Sequence, residues 1–461
     1  MEFKDLHELK RAAAAVLAAG EPLRVIDAAA LRERFLEPLV RTAIFAPDPA
    51  LREASRALIQ AVAGACGIWS ASIQDLYAAR GRGEISGFTV PATNIRGLTY
   101  DTARAAFRAA RALHVGPLVF EIARSEIGYT EQAPAEYSAA VTAAAIREGH
   151  RGPIFLQGDH FQINAKKFAQ APDAEVRSVK DLIQAAIEAR FLNIDIDTST
   201  LVDLSHPTVA EQQRTNVEVG ADLAAHVRRL QPAGVDISIG GEIGEVGKQN
   251  STVEELRAYM DGFRENLARR GGGLTGISKI SVQTGTSHGG VPLPDGTVAS
   301  VKVDFDTLRD LSRVARQEYG LAGAVQHGAS TLPEEAFDHF PRVETAEIHL
   351  ATGFQNLLYE HPAFGDGLRR EVREFCFRAC ADERKAGETD EQFVYKTRKK
   401  AFGPLKRKMW DLSPSDREAI GRSLEERFAF LFRKLGVVDT LAHVERTIRR
   451  VDLPPTIPLP L

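Results

Sequence analysis

Eight short β-prone runs recur through the middle of the chain, each separated from the next by enough residues to hold a helix. They read Gly87-Phe-Thr-Val, Pro117-Leu-Val-Phe-Glu-Ile, Pro153-Ile-Phe-Leu-Gln, Leu192-Asn-Ile-Asp-Ile, Val235-Asp-Ile-Ser-Ile, Lys279-Ile-Ser-Val, Gly323-Ala-Val and Ala346-Glu-Ile-His-Leu. Strands that alternate with helices pair in parallel, because a parallel neighbour is reached only through a crossover. A doubly wound open sheet is one solution and a closed (β/α)8 TIM barrel is the other. The barrel is favoured because candidate polar residues follow widely scattered runs, whereas an open sheet gathers its ligands near one switch point.

The chain has 461 residues, roughly two hundred more than the 250 or so of a typical barrel. The division expected is a helical N-terminal extension over 1–85, a catalytic barrel over 86–360, and C-terminal helices with a proline-rich tail over 361–461. The extension reads as helical throughout from Leu6 to about Arg82, with breaks at Gly20-Glu-Pro and Pro47-Asp-Pro. With 58 Lys and Arg against 62 Asp and Glu, nothing in the overall charge points to nucleic acid or an anionic membrane as partner. The N-terminus lacks the apolar core of a signal peptide and no run reaches membrane-spanning length, so a cytoplasmic protein is expected. Cys66, Cys376 and Cys380 are too few for a disulfide framework and are read as reduced.

Chemistry enters with three histidines placed just after runs: His160 in Gln157-Gly-Asp-His, His288 in Gln283-Thr-Gly-Thr-Ser-His, and His327 in Val325-Gln-His. One histidine is more often structural than a ligand. Three at strand ends that a barrel would gather resemble a catalytic zinc site, which uses three protein ligands and keeps a position open. Asp159 stands beside the first, and strand alternation would send the pair to different sides, one toward metal and one toward substrate. A buried carboxylate there can exchange a hydroxyl proton; an aspartate that only orients its neighbour is the plainer alternative. Near the C-terminus, Tyr395-Lys-Thr-Arg-Lys-Lys-Ala-Phe-Gly-Pro-Leu-Lys-Arg-Lys is strongly basic. Such a run is ordinarily a solvated face; the alternative folds Arg398, Lys399 or Lys400 back onto a distal phosphate.

Five ordered motifs make the pattern specific: Asp159-His160 with Lys166-Lys167 following, Asp197-Thr-Ser, Glu242-Ile-Gly, Thr284-Gly-Thr-Ser-His288-Gly, and His327-Gly-Ala-Ser330. From about Gly87 to Thr352 the chain resembles the class II, metal-dependent fructose-bisphosphate aldolases. The resemblance implies that His160, His288 and His327 bind a catalytic zinc that polarises the ketose carbonyl and stabilises an enediolate. It implies that Asp159 exchanges the proton of the C4 hydroxyl, and that Asp197 and Glu242 hold an alternative or second divalent metal. From the residues alone, both acids serve equally well to orient a ligand histidine. The same resemblance puts Gly289, Gly328 and Ser330 at the phosphate of a triose, and Asn94 near the substrate. It makes a homo-oligomer acting on a small sugar phosphate the expected assembly and partner.

Departures cluster around anion recognition. After the last run the family motif survives only as Thr352, in His349-Leu-Ala351-Thr352; the second-strand serine is replaced by Ala123, with Arg124 and Ser125 beside it. The carboxylate expected to take the triose C3 proton falls near Asn250. Glu245, Glu254 and Glu255 are substitutes, although Ser251-Thr-Val-Glu254 also reads as a capping box. The default expectation is therefore a zinc-dependent aldolase cleaving fructose 1,6-bisphosphate. Alternatives are a metal-dependent ketose epimerase on which Arg124 and His349 read a new group, and a non-catalytic partner subunit.

Overall fold

In the computed structural model, residues 2–20, 22–244, 249–286, 293, 302–330, 332–454 and 457–459 are described. Eight parallel strands close into a barrel: β1 (Val90–Asn94), β2 (Val119–Ala123), β3 (Gly152–Gln162), β4 (Asn193–Asp197), β5 (Ser238–Glu242), β6 (Lys279–Val282), β7 (Ala324–Gln326) and β8 (Glu347–Leu350). Each pairs with its neighbours in chain order, and β8 pairs with β1 to close the ring. The fold is a (β/α)8 TIM barrel; the open-sheet alternative fails on that closure.

All eight runs form strands, and the first is displaced. Its pairing runs from Val90 through Pro91 to Asn94, three residues beyond the sequence reading. Proline has no N–H to give a ladder. It is accommodated because pairing of β1 to β2 starts one residue later, with Ala92 opposite Val119. Between β7 and β8 the helical crossover shrinks to a 3-10 turn at Glu334–Ala336 and the short helix His339–Arg342.

The N-terminal extension is not helical throughout. Leu17–Ala18 and Arg24–Val25 pair as a small antiparallel ladder, and Ile68–Ser70 runs alongside the start of β3. Its last helix, Gln74–Gly81, lies across the lower, N-terminal end of the barrel. Arg80 of that helix is fully buried and donates to the carbonyls of Phe88 and Thr345, which lead into β1 and β8. The close approach depends on Gly81, since a Cβ there would stand 2.0 Å from the carbonyl oxygen of Gly320. On the outside, the C-terminal helix Pro414–Lys434 packs along Thr99–Ala112, the helix after β1. Cys66, Cys376 and Cys380 are free thiols, the last two buried. No described helix is long and apolar enough to cross a membrane.

A half-buried histidine outside the barrel mouth gives the fold a pH dependence. His150, leading into β3, donates from Nε2 to the carbonyl of Pro153 at 3.1 Å and lies against Phe107. Burial depresses its imidazole from 6.5 to about 4. The unfolded chain therefore binds this proton more readily, so the stability it contributes is complete above about pH 6.5 and is lost as pH falls toward 4. Urea unfolding at pH 7 and pH 5 should show the wild type losing about 1–2 kcal/mol more than His150→Gln between the two. Equal losses would refute the assignment.

Candidate active site at the barrel mouth

The pleat sorts each barrel strand into two faces. In Phe120-Glu121-Ile122, Ile194-Asp195-Ile196 and Ala346-Glu347-Ile348 the apolar residues face the helices and the charged residue between them faces inward. At the upper, C-terminal ends the same inward parity brings up Asn94, Asp159, Asp197, Glu242 and His349, with His327 directly after β7. Active sites of barrels form at this end.

Strand β3 breaks the alternation. Its register against β4 slips between Gly158 and Phe161, and His160 adopts φ +40°. Such a bulge leaves one residue unpaired and re-aims its side chain, at a backbone cost of about 1–2 kcal/mol for a residue other than glycine. The expectation that Asp159 and His160 point to different sides is thereby corrected: both reach the mouth, with Asp159 Oδ1 3.9 Å from His160 Nε2. Phe161 closes over the bulge, and its ring would lie 2.4 Å from a Cβ on Gly158.

His160 is held from behind by two acids. Its Nδ1 lies 2.9 Å from Asp197 Oδ2 and 3.1 Å from Glu242 Oε2. Burial would raise Asp197, but hydrogen bonds from His160, Ser199 and Gln162 hold it below the ordinary carboxylate range. Burial also pushes Glu242 up, and with Asp197 beside it the carboxyl stands at about 8. Burial opposes the imidazolium form of His160, yet Asp159 and Glu242 outweigh it and raise that group well above 6.5. His327 lies beside it, ring centroids 4.2 Å apart and planes tilted by 40°, with Nε2 3.0 Å from Ser281 Oγ.

The donor set suits a divalent metal. Ligand atoms of His160, Glu242 and His327 all fall within 4.8 Å of one another, as do those of Asp159, His327 and His349. Imidazole with carboxylate serves zinc, and equally other first-row divalent ions. His288 and Gly289, expected as a third ligand and a phosphate contact, lie outside the described residues, as does Glu245.

The remaining candidates are spread around this centre. Asn94 is buried, and its amide donates to Glu126 and, at 3.4 Å, to Asp159 Oδ2. Ser330 accepts from the amide of Ala351 at 2.7 Å, placing Gly328, Ser330 and Thr352 on adjacent strand-to-helix turns. Ser125 is exposed in the first turn after β2. Arg124 is committed to the carbonyl of Gln162 and to Glu175. His349 is buried, with a carboxylate oxygen within 3.0 Å of each ring nitrogen. The capping box of helix Val253–Arg270 is formed by Thr252 and Glu255, one residue beyond the reading, and it occupies Glu255; Asn250 donates to Asp304 at 3.0 Å. In the basic stretch, Arg398 pairs with Glu360 and Lys400 with Glu383, while Lys399 sits 5.7 Å over the ring of Tyr129.

Sequence reasoning passed over Glu121, Gln157, Asp195, Lys279 and Glu347, which form a polar layer beneath the histidines. The signal was available, since a charged residue flanked by apolar ones inside a strand announces an inward position that needs a partner.

Residues 81–412 match the family model of class II fructose-bisphosphate aldolase. Among solved structures, the chain is 20% identical, with TM-score 0.51, to a probable tagatose 6 phosphate kinase from Sinorhizobium meliloti, over 78% of this chain and 97% of that one. At that identity the likeness shows the fold. A fructose-bisphosphate aldolase from Campylobacter jejuni matches at 16% identity and TM-score 0.48, over 81% of this chain and 97% of the other. The YdjI aldolase from Escherichia coli matches at 12% and 0.39, over 75% and 99%. The family match spans well over half of a chain whose barrel gathers imidazoles and carboxylates at its catalytic end, and the protein belongs to the class II fructose-bisphosphate aldolase family.

Proposed function

We propose that this protein is a zinc-dependent aldolase that reversibly cleaves a ketose bisphosphate, with fructose 1,6-bisphosphate the default substrate. The observation that carries the reading is Asp159, a 5% exposed carboxylate fixed beside the cluster of His160 and His327. His160, His288 and His327 would hold the metal, with Asp197 and Glu242 behind His160 or at a second divalent position. When bound, the metal supplies an electrophile that polarises the C2 carbonyl and offsets charge developing on its oxygen.

The chain's own groups do the rest. Asp159 accepts the proton of the C4 hydroxyl as the C3–C4 bond breaks, leaving an aldehyde at C4 and passing the bonding pair to C3 and on to the C2 oxygen. Protonation of C3 by water then completes the triose ketone, and Asp159 gives its proton back to solvent. Asp197 fixes the ring of His160 by accepting from Nδ1, and the hydroxyl of Ser281 does the same for His327. Asn94 steadies Asp159, while Ser125, Gly289, Gly328, Ser330 and Thr352 are the candidates for the phosphates and triose hydroxyls.

A second reading, a metal-dependent ketose epimerase, is motivated by Ala123, His349 and Ala351, which stand where the family's anion contacts are expected. A panel of ketose mono- and bisphosphates, assayed for triose phosphate and for ketose isomers, tests both. Triose phosphate released preferentially from bisphosphates is the expected result. Isomer products would support the epimerase; preference for unphosphorylated or singly phosphorylated sugars would overturn the bisphosphate assignment.

A further inference from the structure

The polar layer under the histidine cluster takes no part in the bond-breaking described above, yet it fills the position where barrels usually pack branched apolar side chains. Glu121, Gln157 and Glu347 are 0% exposed, Lys279 1% and Asp195 6%. Lys279 Nζ donates to Gln157 Oε1 at 2.8 Å, to Asp195 Oδ2 at 3.0 Å and to Glu347 Oε1. The Gln157 amide donates to Glu121 at 2.9 Å and to Glu347 at 2.8 Å. From below, Tyr77 of the plugging helix donates to Glu347 Oε2.

One side chain joins this layer to the reacting centre. His349 Nε2 lies 2.8 Å from Glu347 Oε1, and Nδ1 lies 3.0 Å from Glu121 Oε1 and 3.2 Å from Asp159 Oδ1. We propose that His349 is a positioning residue: standing between Glu121 and Glu347 at ion-pair distance, it keeps the Asp159 carboxylate over the barrel axis from beneath, while Asn94 holds the other oxygen. This rests on the reading that Asp159 exchanges the substrate proton. A brace accounts for the geometry better than a proton exit, because the column ends at Tyr77, which is itself 0% exposed. It accounts for it better than a substrate contact, because each ring nitrogen already has a carboxylate oxygen within 3.0 Å inside the barrel.

Bracing matters because proton transfer demands hydrogen-bond reach, and a displacement of about 1 Å costs on the order of 100-fold. The test is a double-mutant cycle on cleavage of fructose 1,6-bisphosphate, with metal analysis, together with crystal structures of the single variants. His349→Asn should lower kcat about 100-fold, leave KM within about threefold and leave bound metal unchanged; in an Asp159→Ala background it should change kcat less than about twofold, since residues that act as a unit are not additive. In the His349→Asn crystal structure the Asp159 carboxylate should leave its position. Glu347→Gln, which keeps side-chain shape, should produce the same displacement more weakly and serves if His349→Asn folds poorly. Additive losses, an unmoved Asp159, a raised KM with kcat kept, or lost metal would each overturn the brace. Near-normal turnover of Asp159→Ala would overturn the proton-transfer reading and the brace with it.

Discussion

Replacing Lys279 by methionine should cost about 3–5 kcal/mol of stability, the penalty for leaving buried charges without their partner. Lys279 is 1% exposed and holds Asp195 and Glu347 together inside the barrel. Burial pushes both carboxyls up. Lys279 and His349 outweigh it at Glu347, which stays well below the usual range; at Asp195 they do not, and that group stands at about 6. Without the ammonium group the two acids can fold only by taking up protons, so the deficit of Lys279→Met should shrink as pH is lowered from 8 toward 5. The double variant Lys279→Met, Glu347→Gln should recover part of the loss by removing one stranded charge. Urea unfolding is the measurement, and a loss below about 1 kcal/mol would show that the layer is not held by this cation.

Much of the barrel is legible in the chain because a parallel strand buried on both sides is written as a short apolar run, and eight such runs with crossover lengths between them admit few other folds. The displaced start of β1 was not legible, since Pro91 reads as a strand end until its missing N–H is seen to precede the pairing with β2. The upper site was partly legible. His160 and His327 were found by position after their runs, yet nothing local announces that β3 continues to Gln162 through a bulge. That bulge depends on Phe161 covering Gly158 and on pairing with a strand some thirty residues away. The surroundings of His349 were hidden for a similar reason. Nothing along β8 announces that Glu121, from β2, and Glu347 stand within 3.0 Å of its ring nitrogens. Long-range partners decide such cases, and spacing along one strand does not contain them.

Asp159→Ala should lower cleavage by at least about 100-fold while leaving the metal in place. In the proposed cleavage this carboxylate takes the C4 hydroxyl proton, and general-base contributions run to about 10²–10⁴ in rate. His160 keeps its own supports at Asp197 and Glu242 in the variant, so the ligand set need not collapse when Asp159 is removed. The decisive measurement compares wild type and Asp159→Ala, both loaded with zinc, for triose phosphate released from fructose 1,6-bisphosphate and for bound zinc per chain. Zinc should be retained in both proteins, with kcat lower in the variant by at least about 100-fold. Turnover within a few-fold of wild type at equal zinc content would contradict the proton transfer proposed for Asp159.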